Sequence, residues 1–176
     1  RAGIDKDIPA RAALQLAVQA QADFLGKATA RDYLAILNQG AGAGSPADIA
    51  RLETRRREAP EDIIALSRLA AAYAKAGSHD KARDAYEAAL KVNPNSIDAT
   101  TQLALLYADK LNNPTRAMEL ARAARKNAPD DPAVALALGR IALVAGDHAY
   151  AYAVLEEATR RTTNQPQTSL DLAKAA

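Results

Sequence analysis

Residues 63–96 read IIALSRLAAAYAKAGSHDKARDAYEAALKVNPNS. The next stretch, 97–131, reads IDATTQLALLYADKLNNPTRAMELARAARKNAPDD, and 132–165 reads PAVALALGRIALVAGDHAYAYAVLEEATRRTTNQ. Set beneath one another, the three share one pattern. The first carries Leu66, Leu69-Ala70, Tyr73, Gly77, Ala82, Tyr86, Ala89-Leu90 and Pro94. The second carries Thr100, Leu103-Ala104, Tyr107, Ala117, Ala121, Ala124 and Pro129, and the third Ala135, Leu138-Gly139, Ala142, Gly146, Ala151, Leu155 and Ala158. The spacing is 34 residues and then 35. Self-similarity at such a period marks a stacked array of one supersecondary unit.

The unit is a helical hairpin. Leu66, Leu69, Ala70 and Tyr73 recur at helical spacing. Asp62, Ser96 and Asp131 close successive units and can each cap the helix that follows through a side-chain oxygen. Pro132 and Pro166 stand at the first helical position, where a missing N–H costs nothing. A second set of caps, Ser78, Asn113 and Asp147, opens the second helix of each unit. These signals predict a first helix of about 14 residues and a second of about 13. The extra residue of the second unit falls in Lys110-Leu111-Asn112-Asn113, the turn between helices, where insertion is cheapest. Small residues at unit positions 8, 20 and 27 (Ala70, Ala82 and Ala89 in the first copy) let the two helices approach closely. Leu69, Tyr73, Tyr86, Leu103, Tyr107, Leu138 and Leu155 fill the space between hairpins. One hairpin cannot bury its own apolar face, but a stack can.

On these residues the chain resembles the tetratricopeptide repeat (TPR) family, in the style of bacterial multi-repeat members. The resemblance implies an all-α fold, a right-handed α-solenoid of antiparallel hairpins. It spans 63–96, 97–131 and 132–165 as three repeats, and 166–176 as the start of a fourth, through Pro166, Ser169, Leu172-Ala173 and Ala176. It is weak before Asp62. There, 1–45 reads as divergent N-terminal helices: one from Pro9 to Leu25, and a shorter one from Ala30 to Asn38. Residues 46–62 read as a lead-in equivalent to a second helix, opened by Ser45-Pro46 and running from about Pro46 to Glu58. Gly40 to Gly44 reads as a flexible connector.

In the TPR family the first helices line a concave face, with repeat positions 2, 5, 9, 12 and 13 turned into it. The resemblance carries these positions onto Ile64, Ser67, Ala71, Ala74 and Lys75 in the first repeat. In the second they are Asp98, Thr101, Leu105, Ala108 and Asp109. In the third they are Ala133, Leu136, Arg140, Leu143 and Val144. The family subtype that clamps a terminal carboxylate uses Lys, Asn and further basic residues at positions occupied here by Ser67, Ala71, Leu105, Ala133 and Ala137, so the clamp is absent. The remaining surface suits an amphipathic helix or extended segment held by a few apolar side chains. Alternatively, that face is covered by further repeats or by the Pro9–Leu25 helix.

Composition agrees with a closely packed helical array. Alanine makes up roughly a quarter of the chain, and no residue has a better helix propensity. Net charge is +2, from 23 basic and 21 acidic residues, which gives no general pull toward nucleic acid or an anionic surface. There is no cysteine, so no disulfide and no thiol nucleophile. The most apolar stretch, Ala133 to Ala145, is too short to span a bilayer. The chain starts at Arg1 and stops inside a repeat, and reads as a piece of a longer protein whose compartment the sequence leaves open.

The residues that could carry chemistry are few. His79 and His148 lie 69 residues apart, the sum of two repeat lengths, and so occupy equivalent positions on two hairpins rather than one site. No nucleophile elbow, phosphate loop, dinucleotide fingerprint or zinc-helix motif is present. Arg55-Arg56-Arg57, Arg125-Lys126 and Arg160-Arg161 end second helices, where cations complement the helix dipole. The chain therefore reads as a non-catalytic scaffold for a protein or peptide, with no cofactor, metal or nucleic acid and no direct membrane insertion. A place in secretion, envelope assembly or polysaccharide export is expected by resemblance in style. The alternative is the regulatory or targeting solenoid of a larger enzyme such as a glycosyltransferase. Leu170, Leu172 and Ala173 at the open end suggest a homodimer through stacked solenoid ends. Replacing Tyr73 by alanine should cost about 3 kcal/mol or more in denaturant unfolding, as other buried aromatic truncations do; a neutral result would mean that the repeat register is wrong.

Overall fold

The computed structural model describes residues 8–19, 30–31, 34, 44–161 and 166–175, all or nearly all of them in helices and short turns. The described helices are α1 (Ile8–Gln19), α2 (Pro46–Glu58), α3 (Ile63–Lys75), α4 (His79–Val92), α5 (Ile97–Asp109), α6 (Pro114–Asn127), α7 (Pro132–Val144), α8 (His148–Arg161) and α9 (Pro166–Ala175). The first helix of each hairpin has 13 residues and the second 14, a one-residue exchange with the expected lengths. Of the two expected N-terminal helices, α1 covers Ile8–Gln19. The shorter one is described only at Ala30, Arg31 and Leu34, all helical, and the rest lies outside the described residues.

Caps open the helices where sequence placed them, with one exception. Asp62 accepts from the Ala65 N–H at 3.0 Å, Ser96 from Ala99 at 3.4 Å and Asp131 from Ala133 at 2.9 Å. Asn113 and Asp147 accept from Arg116 and Tyr150 at 3.0 and 3.2 Å. Ser78 makes no side-chain cap bond. Its backbone N–H is taken by the Tyr73 carbonyl at 2.9 Å, which closes the preceding helix. That closure recurs as Asp147 N–H to Ala142 carbonyl at 3.0 Å, with Gly77 and Gly146 at φ 77° and 79°. Such left-handed residues end helices by capturing carbonyls that have no partner in the helix. In the second hairpin Asn112, at φ 48°, takes the glycine's place, a conformation asparagine tolerates better than most residues. The extra residue is absorbed there, since Asn113 N–H reaches the Tyr107 carbonyl one residue further back. The turns between hairpins repeat as well. Asp62, Ser96 and Asp131 each donate a backbone N–H to the residue three earlier, at 3.1–3.3 Å, across turns led by Pro60, Pro94 and Pro129.

Each first helix packs on its own second helix (α3 on α4, α5 on α6, α7 on α8), and each second helix packs on the next hairpin. α2 packs on α3 as a preceding second helix would, and α9 on α8 as a following first helix would. Two core clusters result, one around Leu66, Leu69, Tyr73, Tyr86 and Leu103, the other around Leu138, Ile141, Val154 and Leu155. Tyr107 and Leu120 pack against both, so the core is continuous. Tyr107 is therefore half-buried rather than enclosed. Of the expected connector from Gly40 to Gly44, only Gly44 falls among the described residues. It lies against the end of α3, where an added Cβ would come within 2.9 Å of the Lys75 Cβ.

The small residues behave as the spacing requires. Ala70, Ala82, Ala89, Ala104, Ala117, Ala151 and Ala158 are fully buried. Gly139 is the tightest case, since an added Cβ would sit 2.5 Å from Leu155 Cγ on the facing helix.

A polar contact joins successive hairpins. The Tyr73 hydroxyl donates to the Glu53 carboxylate on α2, and the Tyr107 hydroxyl to Glu87 on α4 at 3.2 Å. Both pairs are separated by 20 residues, and Glu53 and Glu87 by one repeat. The third interface lacks the pair because Ala142 replaces the tyrosine. There Arg122 stands at the glutamate's own repeat position and lies 5.9 Å from the Tyr150 ring. Lys81 covers the Tyr73 ring in turn, at 5.5 Å.

Burial pushes the Tyr73 phenol up from 10.0 to about 12, with the bond to Glu53 and its charge adding to the shift. Burial raises Tyr86 further, with the Asp98 charge in support. Both phenols are held neutral by the fold. Their contribution is complete below the unfolded value near pH 10; that of Tyr73 is lost as pH rises through about 12, and that of Tyr86 only above it. Denaturant midpoints should accordingly fall between pH 10 and 12, and the Tyr73→Phe and Tyr86→Phe variants should each flatten that fall. A wild-type slope unchanged in both variants would contradict the assignment. In a separate series, Gly139→Ala should destabilise the chain by about 1–3 kcal/mol through overpacking against Leu155, although alanine is the better helix former. Thermal unfolding of that variant decides which effect wins.

Candidate functional site

Three first helices, α3, α5 and α7, present the residues expected to line a common face. On α3, Ile64 and Lys75 stand toward the helix ends, while Ser67 and Ala71 lie between them. Ile64 is 39% exposed. On α5, Asp109 is exposed at the helix end, and Thr101 and Leu105 are half-buried. On α7, Leu136 is half-buried, Arg140 exposed, and Val144 50% exposed despite its apolar side chain. Leu105, Leu136 and Leu143 each keep one flank on the second core cluster and leave the other outside. Ala108 departs from expectation: it is buried at 7% exposure within the second core cluster. The reason is that α5 and α7 meet directly, and Ala108 lies in that contact.

Two of the expected residues are brought together. Arg140 Nη2 lies 3.5 Å from Asp109 Oδ2, a contact between consecutive first helices. Arg140 Nε also lies 3.8 Å from Asp171 Oδ2 on α9. Asp171 is nearly buried and has Lys174 at 3.9 Å on its own helix. Sequence reading missed Asp171. Its repeat position carries Arg68, Gln102 and Ala137 in the other copies, so no shared residue type marks it. It also missed the tyrosine–glutamate contacts, though the recurrence of Glu53 and Glu87 at the repeat spacing was a usable signal. Thr101 Oγ1 is buried with no hydrogen-bond partner.

The arginine clusters are absorbed by the fold. Arg55 donates to Asp62 at 3.0 Å, Arg125 to Glu157 at 2.6 Å and Arg160 to Glu156 at 3.0 Å. Arg57 bonds its own helix at the Glu53 carbonyl and the Thr54 hydroxyl. His79 and His148 both begin second helices and lie on different hairpins. Among the described residues no group of three His, Asp or Glu is placed to hold a metal ion, and no helix is long and apolar enough to cross a membrane. An open cleft of about 440 Å³ lies elsewhere, between Pro114, Met118 and Arg122 of α6 and the turn at Ala145 and Asp147. Its Glu119 is paired with Arg116 and its Asp147 caps α8, so neither is poised for another task.

Residues 63–96 match the tetratricopeptide repeat family. The fold carries the same hairpin design through residues 97–161, with α2 packed before the segment as a preceding second helix would be, so the described residues form a multi-repeat TPR-type solenoid. It is similar to a thermophilic TPR protein of Thermus thermophilus, with 21% identity and TM-score 0.70 over 94% of this chain and 88% of that one. It is also similar to a TPR protein from Parabacteroides merdae, with 16% identity and TM-score 0.72 over 96% of this chain and 65% of the other. A third similar structure is the first TPR of Spaghetti (RPAP3) bound to the HSP90 peptide SRMEEVD, with 18% identity and TM-score 0.60 over 64% of this chain and 89% of that one. At these identities the likeness speaks for the fold. No curated protein sequence matches the chain. As a class such solenoids are interaction scaffolds, since stacked hairpins generate extended concave surfaces.

Proposed function

We propose that this chain is a non-catalytic scaffold that holds a peptide or helix of a partner protein along the face formed by α3, α5 and α7. One observation carries the reading: three consecutive first helices each leave an apolar side chain uncovered within the set of repeat positions (2, 5, 9, 12 and 13) expected to line one face. Ile64 and Val144 are 39% and 50% exposed, and Leu105, Leu136 and Leu143 are half-buried. Second helices cover the opposite side of each first helix, so this face is the one the stack leaves available. Scattered exposed apolar residues are ordinary, but an aligned set on adjacent helices marks an interaction surface.

The ligand differs in kind from a terminal carboxylate. Ser67, Ala71, Leu105, Ala133 and Ala137 occupy the positions where a carboxylate clamp would need amide and basic side chains. Ala137 is moreover buried. A helix-in-groove mode, with apolar anchors spaced at helical turns, suits a face with so few charges.

Leu105→Arg should leave the helical signal intact and shift unfolding stability by no more than about 1 kcal/mol, because Leu105 is half-buried and a long side chain can reach water. Partners captured by the wild type from a lysate of the source organism should be lost from this variant. If Leu105→Arg unfolds the chain, Leu105 belongs to the core and the face is misplaced; equal capture by both proteins would place binding elsewhere.

A further inference from the structure

Charged side chains across the described residues differ in how fully they are engaged. Arg51, Arg55, Arg83, Arg116, Arg125 and Arg160 each meet a carboxylate at 2.6–3.0 Å. Arg140 stands apart, at 3.5 Å from Asp109 and 3.8 Å from Asp171. Charge-assisted N–H···O bonds close to about 2.7–2.9 Å, and a guanidinium meets a carboxylate best through two parallel bonds. Arg140 makes neither short bond, and its side chain is 45% exposed. Its two carboxylates have other neighbours: Asp171 also lies 3.9 Å from Lys174, and Asp109, 37% exposed, is open to water.

The surroundings of Arg140 are apolar. Leu136 lies one turn before it on α7 and Leu143 and Val144 one turn after, all on the same flank of the helix. Leu105 occupies the equivalent repeat position on the neighbouring first helix. A cation with unspent donors, framed by four apolar side chains, is a specific recognition element.

Resting on the function proposed above, we propose that the α5–α7 half of the face recognises an amphipathic helix bearing an acidic side chain one turn away from apolar ones. The ligand carboxylate takes the guanidinium of Arg140 in a two-bond fork, and the flanking apolar side chains pack on Leu105 and Val144. Two long contacts are exchanged for two short ones. Asp109 then turns to water and Asp171 keeps Lys174. A basic side chain at the same place would gain from Asp109 but would meet the charge of Arg140.

The test is a selection from a displayed library of amphipathic helical peptides whose polar positions are randomised among acidic, basic and neutral residues, run against the full chain. The expected result is enrichment of Asp or Glu three or four residues from Leu. Affinity for those peptides should fall by about tenfold or more in Arg140→Ala, consistent with loss of a charged hydrogen-bonding partner. Arg140→Lys, which keeps the charge but not the fork, should recover only part of it. Asp109→Ala should leave affinity equal or higher. Enrichment of basic or uncharged peptides, or equal affinity in Arg140→Ala, overturns the acidic anchor. If those same peptides still lose binding in Leu105→Arg, the wider assignment of the face survives. Peptides indifferent to both substitutions, or no enrichment at all, overturn both. Arg140 is exposed in mid-helix and alanine favours helix, so circular dichroism of Arg140→Ala should match the wild type.

Discussion

Close approach of paired helices is the constraint on which the rest of this structure depends. Ala70, Ala82 and Ala89 in one hairpin, with Ala104, Ala117 and Ala124 in the next, are buried where a larger side chain would hold the helices apart. In the third hairpin the requirement is stricter, and Gly139 lies beneath Leu155. Alanine suits such positions on two counts: it carries no side-chain entropy to lose and has the best helix propensity. The abundance of alanine in this chain is thus a packing requirement repeated along the stack. The stacking brings successive first helices side by side, in direct contact between α5 and α7.

The electrostatics divide along the same line. Charges at helix ends and between second helices are matched locally: Asp62 both caps α3 and receives Arg55, and Arg125 reaches Glu157 across one hairpin boundary. These groups lie at partly buried junctions, where an unmatched charge would be costly. On the uncovered face the demand relaxes, because water can serve a charge there. Asp109 and Arg140 are exposed there and meet only loosely, while Asp171, 3.8 Å from Arg140, is itself buried. The contrast between tightly matched junction charges and a loosely matched face charge is what the proposed role of Arg140 rests on.

Much of the fold was legible in advance. Caps at Asp62, Ser96, Asp131, Asn113 and Asp147, and prolines at first helical positions, place helix starts by local chemistry alone. Tyr73 and Leu69 reveal their burial by recurring at the repeat spacing. Ser78 makes no side-chain cap bond, although its N–H closes the preceding helix as the N–H of Asp147 does, and nothing in the structure explains the difference. Ala108 departs from its expected exposure. Its position points outward in a generic repeat, but here it lies in the direct contact between α5 and α7. Face residues at Ile64, Leu105, Leu136 and Val144 could be named only through family resemblance, since nothing in their identity distinguishes a groove leucine from a core leucine.

The sequence by itself determined that this protein is a stack of helical hairpins, where each helix begins, and which small residues separate them. Those features arise from periodicity, capping and side-chain volume, all of which act over a few residues or one repeat. Only the tertiary structure decided which charges meet: Arg125 with Glu157, and Arg140 between Asp109 and Asp171. Those contacts depend on the offset between neighbouring hairpins, which is set by how deeply each layer seats on the next. Small differences in that offset turn a short ion pair into a long one, and no local pattern in the chain encodes them.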